Sequence, residues 1–319
     1  MVTNLKELPR FRDGLSYLYA ERAIIEKEHQ SIALYREDGV VQVPASSVGV
    51  LLLGPGTRIT HAAVVALADC GTSVVWVGEG SARCYASGGG KTRSSANMER
   101  QARAWAQEAL RMRTVRRLYA FRFRDELPAT LTLQQIRGRE GVRVREAYAA
   151  ASRQYGVPWL GRNYDRGNWA QADPVNRALS AGTACLYGLC HAALLASGFS
   201  PALGFIHVGK QLSFVYDVAD LYKIELVVPT AFRSVAESGS DVERRVRSAL
   251  RDQMQQQRLM ERVISDLDRL FEGIYADAAD GEDTLDEQDR PGNLWGPDGP
   301  VGGGVNHAGD DAREGADLP

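Results

Sequence analysis

Residues 172–198, ADPVNRALSAGTACLYGLCHAALLASG, constrain the fold of this chain more than any other stretch. Asp173 is a natural helix cap, Pro174 suits a first turn, and Gly198 supplies a terminator. Between them the apolar residues run around the whole helical wheel instead of along one stripe. Such a helix has to be enclosed by other elements, so it belongs in the core of its half of the molecule. No run of 18 or more apolar residues occurs, so no membrane span is expected.

The rest of the chain has two textures. Within the first 90 or so residues, LSYLY, AIIEKE, SIALYR, VVQVP, VGVLLL, SVVWVG and ARCYAS are short apolar or alternating runs. Asp38-Gly39 and the GPGTR segment at 54–58 separate some of them with turn chemistry, which predicts strands. Thr60 is placed to cap one short helix, HAAVVALADC, which Gly71 ends. SGGGKTRSSANM, residues 87–98, reads as a flexible linker. Beyond it the period turns helical, with helices expected over 95–124, 131–155, the apolar segment above, a stretch from Ser213, and roughly 240–271. After Tyr275 the chain is rich in Asp, Gly and Pro and reads as disordered. The expectation is an α+β fold: a β-rich domain over 1–90, a larger α-helical domain over 91–275, and an acidic tail over 276–319.

Charge follows the same division. The 319 residues carry a formal net charge of −2, but 12 acidic and 2 basic residues lie beyond Tyr275. The remaining 36 Lys and Arg against 28 Asp and Glu leave residues 1–275 at +8. A basic body points to a polyanionic partner. Of the cations 33 are Arg and 5 are Lys, which suits bidentate phosphate contacts and equally fits GC-rich coding bias. Cys70, Cys84, Cys185 and Cys190 form no CxxC pair, so a reduced cytoplasmic interior is expected and a structural zinc site is not. The polar start, MVTNLKELPRFRDG, does not resemble a secretory signal.

Few residues stand out as carriers of chemistry. Glu140 shares a four-residue spacing with Ile136, Val144 and Tyr148, which sets a carboxylate in an otherwise core-type stripe. It either serves a site or pairs with a neighbouring Arg. His207 lies between Ile206 and Val208 just before Gly209, where a hydrogen-bonded core histidine is the competing reading. Asp217 and Asp220 are three apart on the apolar segment LSFVYDVADLYKI and face nearly the same way; the alternative is a pair of helix-end caps, which their mid-segment position argues against. One Glu, one His and one or two Asp form a hard donor set suited to Mg²⁺ or Mn²⁺. Arg244, Arg247 and Arg251 share one helix face, and Arg113, Arg116, Arg117 and Arg124 stud an earlier helix. Each face either tracks phosphates or is simply solvated. Cys185, Cys190 and His191 read as structural, and GEGSARCYASGGGK lacks the GxxxxGK[ST] pattern of a phosphate loop.

At these residues the chain resembles a known family. PGTRITHAAV, VVWVGE, RGREGVRVREAY, QYGVPWLGRNYD, NWAQADPVN, ACLYG and above all GFIHVGKQLSFVYDVADLYK followed by VVP are similar to the CRISPR-associated integrases that capture new spacers, in their type I-E branch. The similarity runs from about residue 12 to about 270. It implies a small β-domain that forms homodimers and a larger helical catalytic domain. It implies two such dimers flanking a dimer of a small ferredoxin-like subunit, a hetero-hexamer that inserts short DNA duplexes into a CRISPR array for antiviral defence. The family's metal ligands fall on Glu140, His207 and Asp220, and its further catalytic acid on Asp217. Arg83, Tyr164, Tyr187, Tyr216, Lys223, Arg244 and Arg247 are implied in contacting double-stranded DNA or supporting the site. One position departs: Arg22 stands where some relatives carry a duplex-splaying Tyr, with Tyr17 and Tyr19 nearby.

The implied reaction is a transesterification in which a DNA 3′-hydroxyl attacks a repeat phosphodiester, with hydrolysis as the variant when water replaces the hydroxyl. A stand-alone metal-dependent nuclease acting on branched DNA in repair would use the same residues without a partner, and a DNA-binding scaffold with a degenerate site would cut nothing.

Overall fold

The computed structural model describes residues 16–79, 83–89, 95–123, 127–162 and 173–274. All seven expected strands form: β1 (Ser16–Ala20), β2 (Ile24–Glu28), β3 (Ser31–Arg36), β4 (Gly39–Pro44), β5 (Val48–Leu53), β7 (Ser73–Val77) and β8 (Cys84–Gly88). A two-residue strand, β6 (Arg58–Ile59), adds to β2 where the sequence suggested only a turn. They make two four-stranded sheets. One has the order β1-β5-β7-β8, with β1, β5 and β7 parallel and β8 antiparallel; the other has the order β4-β3-β2-β6. Helix α1 (His61–Asp69) begins at Thr60, whose hydroxyl accepts from the Ala63 N–H as the sequence predicted.

The run VGVLLL explains how this β-rich part meets the helices. Leu51 and Leu53 share a core with Ile25, Ile32 and Leu34 of the second sheet and Ala63 and Leu67 of α1. Val50 and Leu52 point the other way, into the core of the helical part, alongside Val75 and Val77. A strand buried on both faces reads as an unbroken apolar run, not an alternation. The hydrophobic core therefore continues across the sequence boundary near residue 90.

The helices are α2 (Ala96–Ala106), α3 (Glu108–Ala120), α4 (Leu133–Tyr155), α5 (Pro174–Ala196), α6 (Ser213–Ala219), α7 (Val228–Glu237), α8 (Val242–Gln256) and α9 (Leu259–Phe271). The apolar segment is α5. It is long and apolar enough to cross a membrane by length and composition, but here α6, α7, α8, α9 and the first sheet enclose it. At Gly182 an added Cβ would stand 2.8 Å from Leu250 Cδ1 and 2.9 Å from Val227 Cγ1, so a side chain here would force its neighbours to shift.

Several expectations need correction. The helix expected over 95–124 breaks at Gln107, whose backbone is extended (φ −93°, ψ 117°), into α2 and α3. The helix expected over 240–271 breaks at Arg258, which is left-handed (φ 49°), into α8 and α9. The helix expected from Ser213 is divided: after α6 a π-helical turn, Lys223–Val227, leads directly into α7 with Pro229 in its first turn. Of the expected linker, Ser87 and Gly88 lie in β8 and Ala96–Met98 in α2, while 90–94 and the tail beyond 274 lie outside the described residues.

Candidate catalytic centre

Three segments converge. The first is α4, whose start is set by a reciprocal cap: Thr132 accepts from the Gln135 N–H, and the Gln135 side chain accepts from the Thr132 N–H. Two turns on, Glu140 emerges from the stripe that Ile136 buries at one end and Tyr148 anchors at the other, stacked on Trp159 at 4.7 Å. The second is the loop 205–209, and the third is α6 with the turn that follows.

Loop and helix are tied by Asp217. This carboxylate is completely buried and accepts from the backbone N–H groups of Phe205 (2.6 Å), Ile206 (3.0 Å) and His207 (2.9 Å). It also meets His207 Nδ1 at 2.7 Å. Four partners saturate its two oxygens. Asp217 therefore orients His207, and these partners take up both of its oxygens. The arrangement leaves Nε2 as the outward nitrogen of an imidazole that is 42% exposed. Gly204 makes the turn possible, because a Cβ there would fall 2.3 Å from the His207 carbonyl and 2.6 Å from Ser213 Cβ.

Asp220 lies at the C-terminal end of α6, the helix-end placement that its mid-segment position in the sequence had argued against. Its Oδ2 is 4.0 Å from His207 Nε2 and 3.6 Å from Arg122 Nη2, and its Oδ1 pairs with Lys223. Burial raises the Asp220 carboxyl, but Lys223, Arg122 and His207 outweigh that and hold it below the usual carboxylate range. Lys223 responds in kind: burial lowers it, and Asp220 more than restores it.

Glu140 is joined to Asp220 through Arg122, whose Nη1 lies 3.6 Å from Glu140 Oε1. It also accepts a bidentate pair from Arg143 at 2.8 and 2.9 Å, the neighbouring-Arg pairing left open by the sequence. Among the described residues no three of His, Cys, Asp and Glu converge closely enough to hold a metal, because Arg122, Arg143 and Lys223 take up the carboxylates. The donor chemistry nevertheless fits a hard divalent ion. Asp220 stands beside an imidazole with its far nitrogen fixed, Glu140 lies on the other side of Arg122, and 4.0 Å from Nε2 to Oδ2 lies within the span of two ligand bonds of about 2.1 Å each.

Other predicted residues fall into two groups. Tyr216 packs edge-on to His207 (5.8 Å between centroids), Tyr187 leans on Tyr216 (4.9 Å), and the Lys223 ammonium stands 5.6 Å from the Tyr187 ring centroid. Arg83 and Arg247 instead line a separate cleft of about 340 Å³ with Glu79, Tyr85 and Glu243. Arg244 is exposed on α8, and Arg251 there pairs with Asp252 at 3.5 Å. Tyr164 and Arg124 lie outside the described residues. Arg113, Arg116 and Arg117 donate to the carbonyls of Ile274 (3.2 Å), Leu131 (2.7 Å) and Leu270 (3.0 Å), so these guanidinium groups brace the fold. Burial pushes the Cys185 thiol up to about 12 and Cys190 higher, in keeping with a structural role. Arg22 is exposed in a left-handed conformation (φ 50°), and the Tyr19 hydroxyl donates to Glu21 at 2.7 Å.

Arg122 was the residue that sequence reasoning missed. Its signal is the FRFR run, where an Arg between two Phe directly follows a helix that ends at Ala120. Only the surroundings show that it is buried between acids.

Comparison with known proteins bears on the family and the fold. A model of the family described as CRISPR associated protein Cas1 matches residues 120–244. A CRISPR-associated endonuclease Cas1 of Thermus thermophilus is 61% identical over 317 residues, 99% of this chain and 97% of its own length. The CRISPR-associated endonuclease Cas1 of Escherichia coli is 41% identical over 254 residues, 79% of this chain and 83% of its own. The crystal structure of the TtCas1–DNA complex superposes with a TM-score of 0.77 at 62% identity, covering 83% of this chain and all of that one. A Cas1 protein from Thermotoga maritima, 13% identical, shares the fold with a TM-score of 0.54 over 84% of this chain and 99% of that one.

Proposed function

The chain belongs to the Cas1 family of CRISPR-associated endonucleases, and from that premise we propose that it is the spacer integrase of a CRISPR adaptation complex. The observation that supports this reading is the buried Arg122 guanidinium, which lies between Glu140 and Asp220, from segments far apart in sequence, with His207 beside Asp220. The type I-E assignment rests on the GFIHVGKQLSFVYDVADLYK block.

In this reading Glu140, His207 and Asp220 hold Mg²⁺ or Mn²⁺, with Glu140 giving up part of its pair with Arg143. When bound, the ion supplies Lewis-acid stabilisation for the phosphodiester oxygens that gain charge. The protein's own part is to place and orient. Asp217 fixes the imidazole so that Nε2 is the nitrogen that would hold the ion. Lys223, beside Asp220, offers a second cation to that phosphate, and Tyr187 and Tyr216 form an aromatic wall against which nucleotides pack. The attacking 3′-hydroxyl belongs to the incoming DNA, so no residue serves as a covalent nucleophile. Arg83, Arg244 and Arg247 neutralise backbone phosphates at a distance from the chemistry. The resemblance supplies the rest: a homodimer, a hetero-hexamer with the small ferredoxin-like subunit, and a cytoplasmic location.

The deciding experiment is integration of a short duplex into a supercoiled plasmid bearing a repeat array, with and without the small subunit. His207→Ala is expected to abolish strand transfer while duplex binding persists. Full integration by this variant would refute the ligand assignment. Cleavage of branched DNA without the small subunit, and no integration with it, would instead make the protein a stand-alone nuclease.

A further inference from the structure

Arg122 carries its charge where charge is costly. Its side chain is 4% exposed, and its guanidinium lies 5.1 Å from the Tyr119 ring centroid. Nη2 donates to the Asp217 carbonyl at 3.4 Å, and Nε has no acceptor. The 3.6 Å separations from Glu140 and Asp220 exceed the ~2.8 Å of a charge-assisted hydrogen bond. The group is thus held by its walls rather than clamped to either acid, and it compensates both through space.

The charges around it balance. Three carboxylates, Glu140, Asp217 and Asp220, meet three cations, Arg122, Arg143 and Lys223. These six charges cancel, so the group offers no net negative charge to an arriving divalent ion. A neutral centre attracts a dication weakly, and a DNA phosphate brings the negative charge that is missing.

We infer that Arg122 is an internal counter-cation: it lowers the affinity of the DNA-free centre for a divalent ion, so that loading depends on a seated phosphate. The inference rests on the reading of Glu140, His207 and Asp220 as ligands. Arg122 touches neither ion nor substrate in this scheme and acts through the two carboxylates, as a positioning and charge-setting residue.

The test is Mn²⁺ binding to the full-length chain, followed by electron paramagnetic resonance with and without a short duplex. Wild type should bind Mn²⁺ about ten-fold or more tightly with DNA present, within the usual range of coupled sites. Arg122→Met should tighten Mn²⁺ binding to the DNA-free protein by about the same factor, and Arg122→Lys, which keeps the charge, should stay near wild type. If Arg122→Met does not fold, Lys223→Met removes another of the three cations and is expected to shift DNA-free Mn²⁺ affinity in the same direction. Unchanged or weaker Mn²⁺ binding by the neutralised variant would overturn the inference. His207→Ala separates the two levels. If it removes Mn²⁺ binding in the presence of DNA, the ligand reading stands whatever Arg122→Met does; if it does not, the ligand reading itself fails.

Discussion

Asp217 shows how much one buried carboxylate can organise. It replaces water for three consecutive N–H groups and sets the face that His207 presents. Asp217→Asn keeps the size but turns one acceptor into a donor aimed at donors. The expected loss is about 3 kcal/mol of stability, since buried partners of a charged group are left unmatched. Strand transfer should fall by about 10- to 100-fold in the fraction that folds, the usual effect of removing support behind a ligand. Urea denaturation and a single-turnover integration assay read the two effects separately. The same residue shows the limit of pattern reading. The spacing of Asp217 and Asp220 on one side of α6 was visible, but which acid faces inward and which faces the site depends on the loop at 205–207. That loop packs against α6 only because Gly204 permits contact with Ser213.

Among the elements, α5 and α8 matter most. They cross where Gly182 faces Leu250 and Val246, and α8 carries Arg244 exposed and Arg247 half-buried beside α5. Gly182→Ala should destabilise the chain by about 1–3 kcal/mol through overpacking. Thermal or urea unfolding would show it, with DNA affinity of the folded fraction nearly unchanged. Arg247→Ala should weaken duplex binding and reduce the slope of log affinity against log salt by about 1, as expected for the loss of one phosphate contact. A titration series from low to high salt would check this. An unchanged slope would assign Arg247 to the cleft it shares with Arg83 and Glu243 rather than to DNA. The helix breaks at Gln107 and Arg258 were invisible in the sequence because neither residue is a breaker. At both points the chain turns so that the next helix can bury its own apolar face, and tertiary packing outweighs local preference.

Over the whole molecule, the described core closes at Ile274, which is buried and whose carbonyl accepts from Arg113. A chain ending at Tyr275 keeps that closure. Truncation there should leave integration and duplex affinity within about two-fold of the full chain, because surface changes away from packed features have small effects. Lost activity would give the acidic tail a part in the reaction. The basic body and the continuous core also explain why the β-rich part and the helical part present their arginines from one framework: Val50, Leu52, Val75 and Val77 are held in the same core as α5.

The sequence by itself determined the elements whose signals are local. The strands follow from short apolar runs bounded by turns, α1 and α5 from their caps, α4 from its helical period, and the buried nature of α5 from apolar residues on every side. Local pattern also singled out Glu140, His207, Asp217 and Asp220, and the resemblance joined Glu140, His207 and Asp220 as one ligand set across 67 or more residues. Only the tertiary structure decided that Asp217 is buried against three backbone N–H groups and His207, that the arginines of α3 brace carbonyls, and that Arg122 lies between the acids. The physical reason is common to all three. A charged side chain takes its role from the partner it meets, and these partners come from segments that are brought together only when the core around α5 closes.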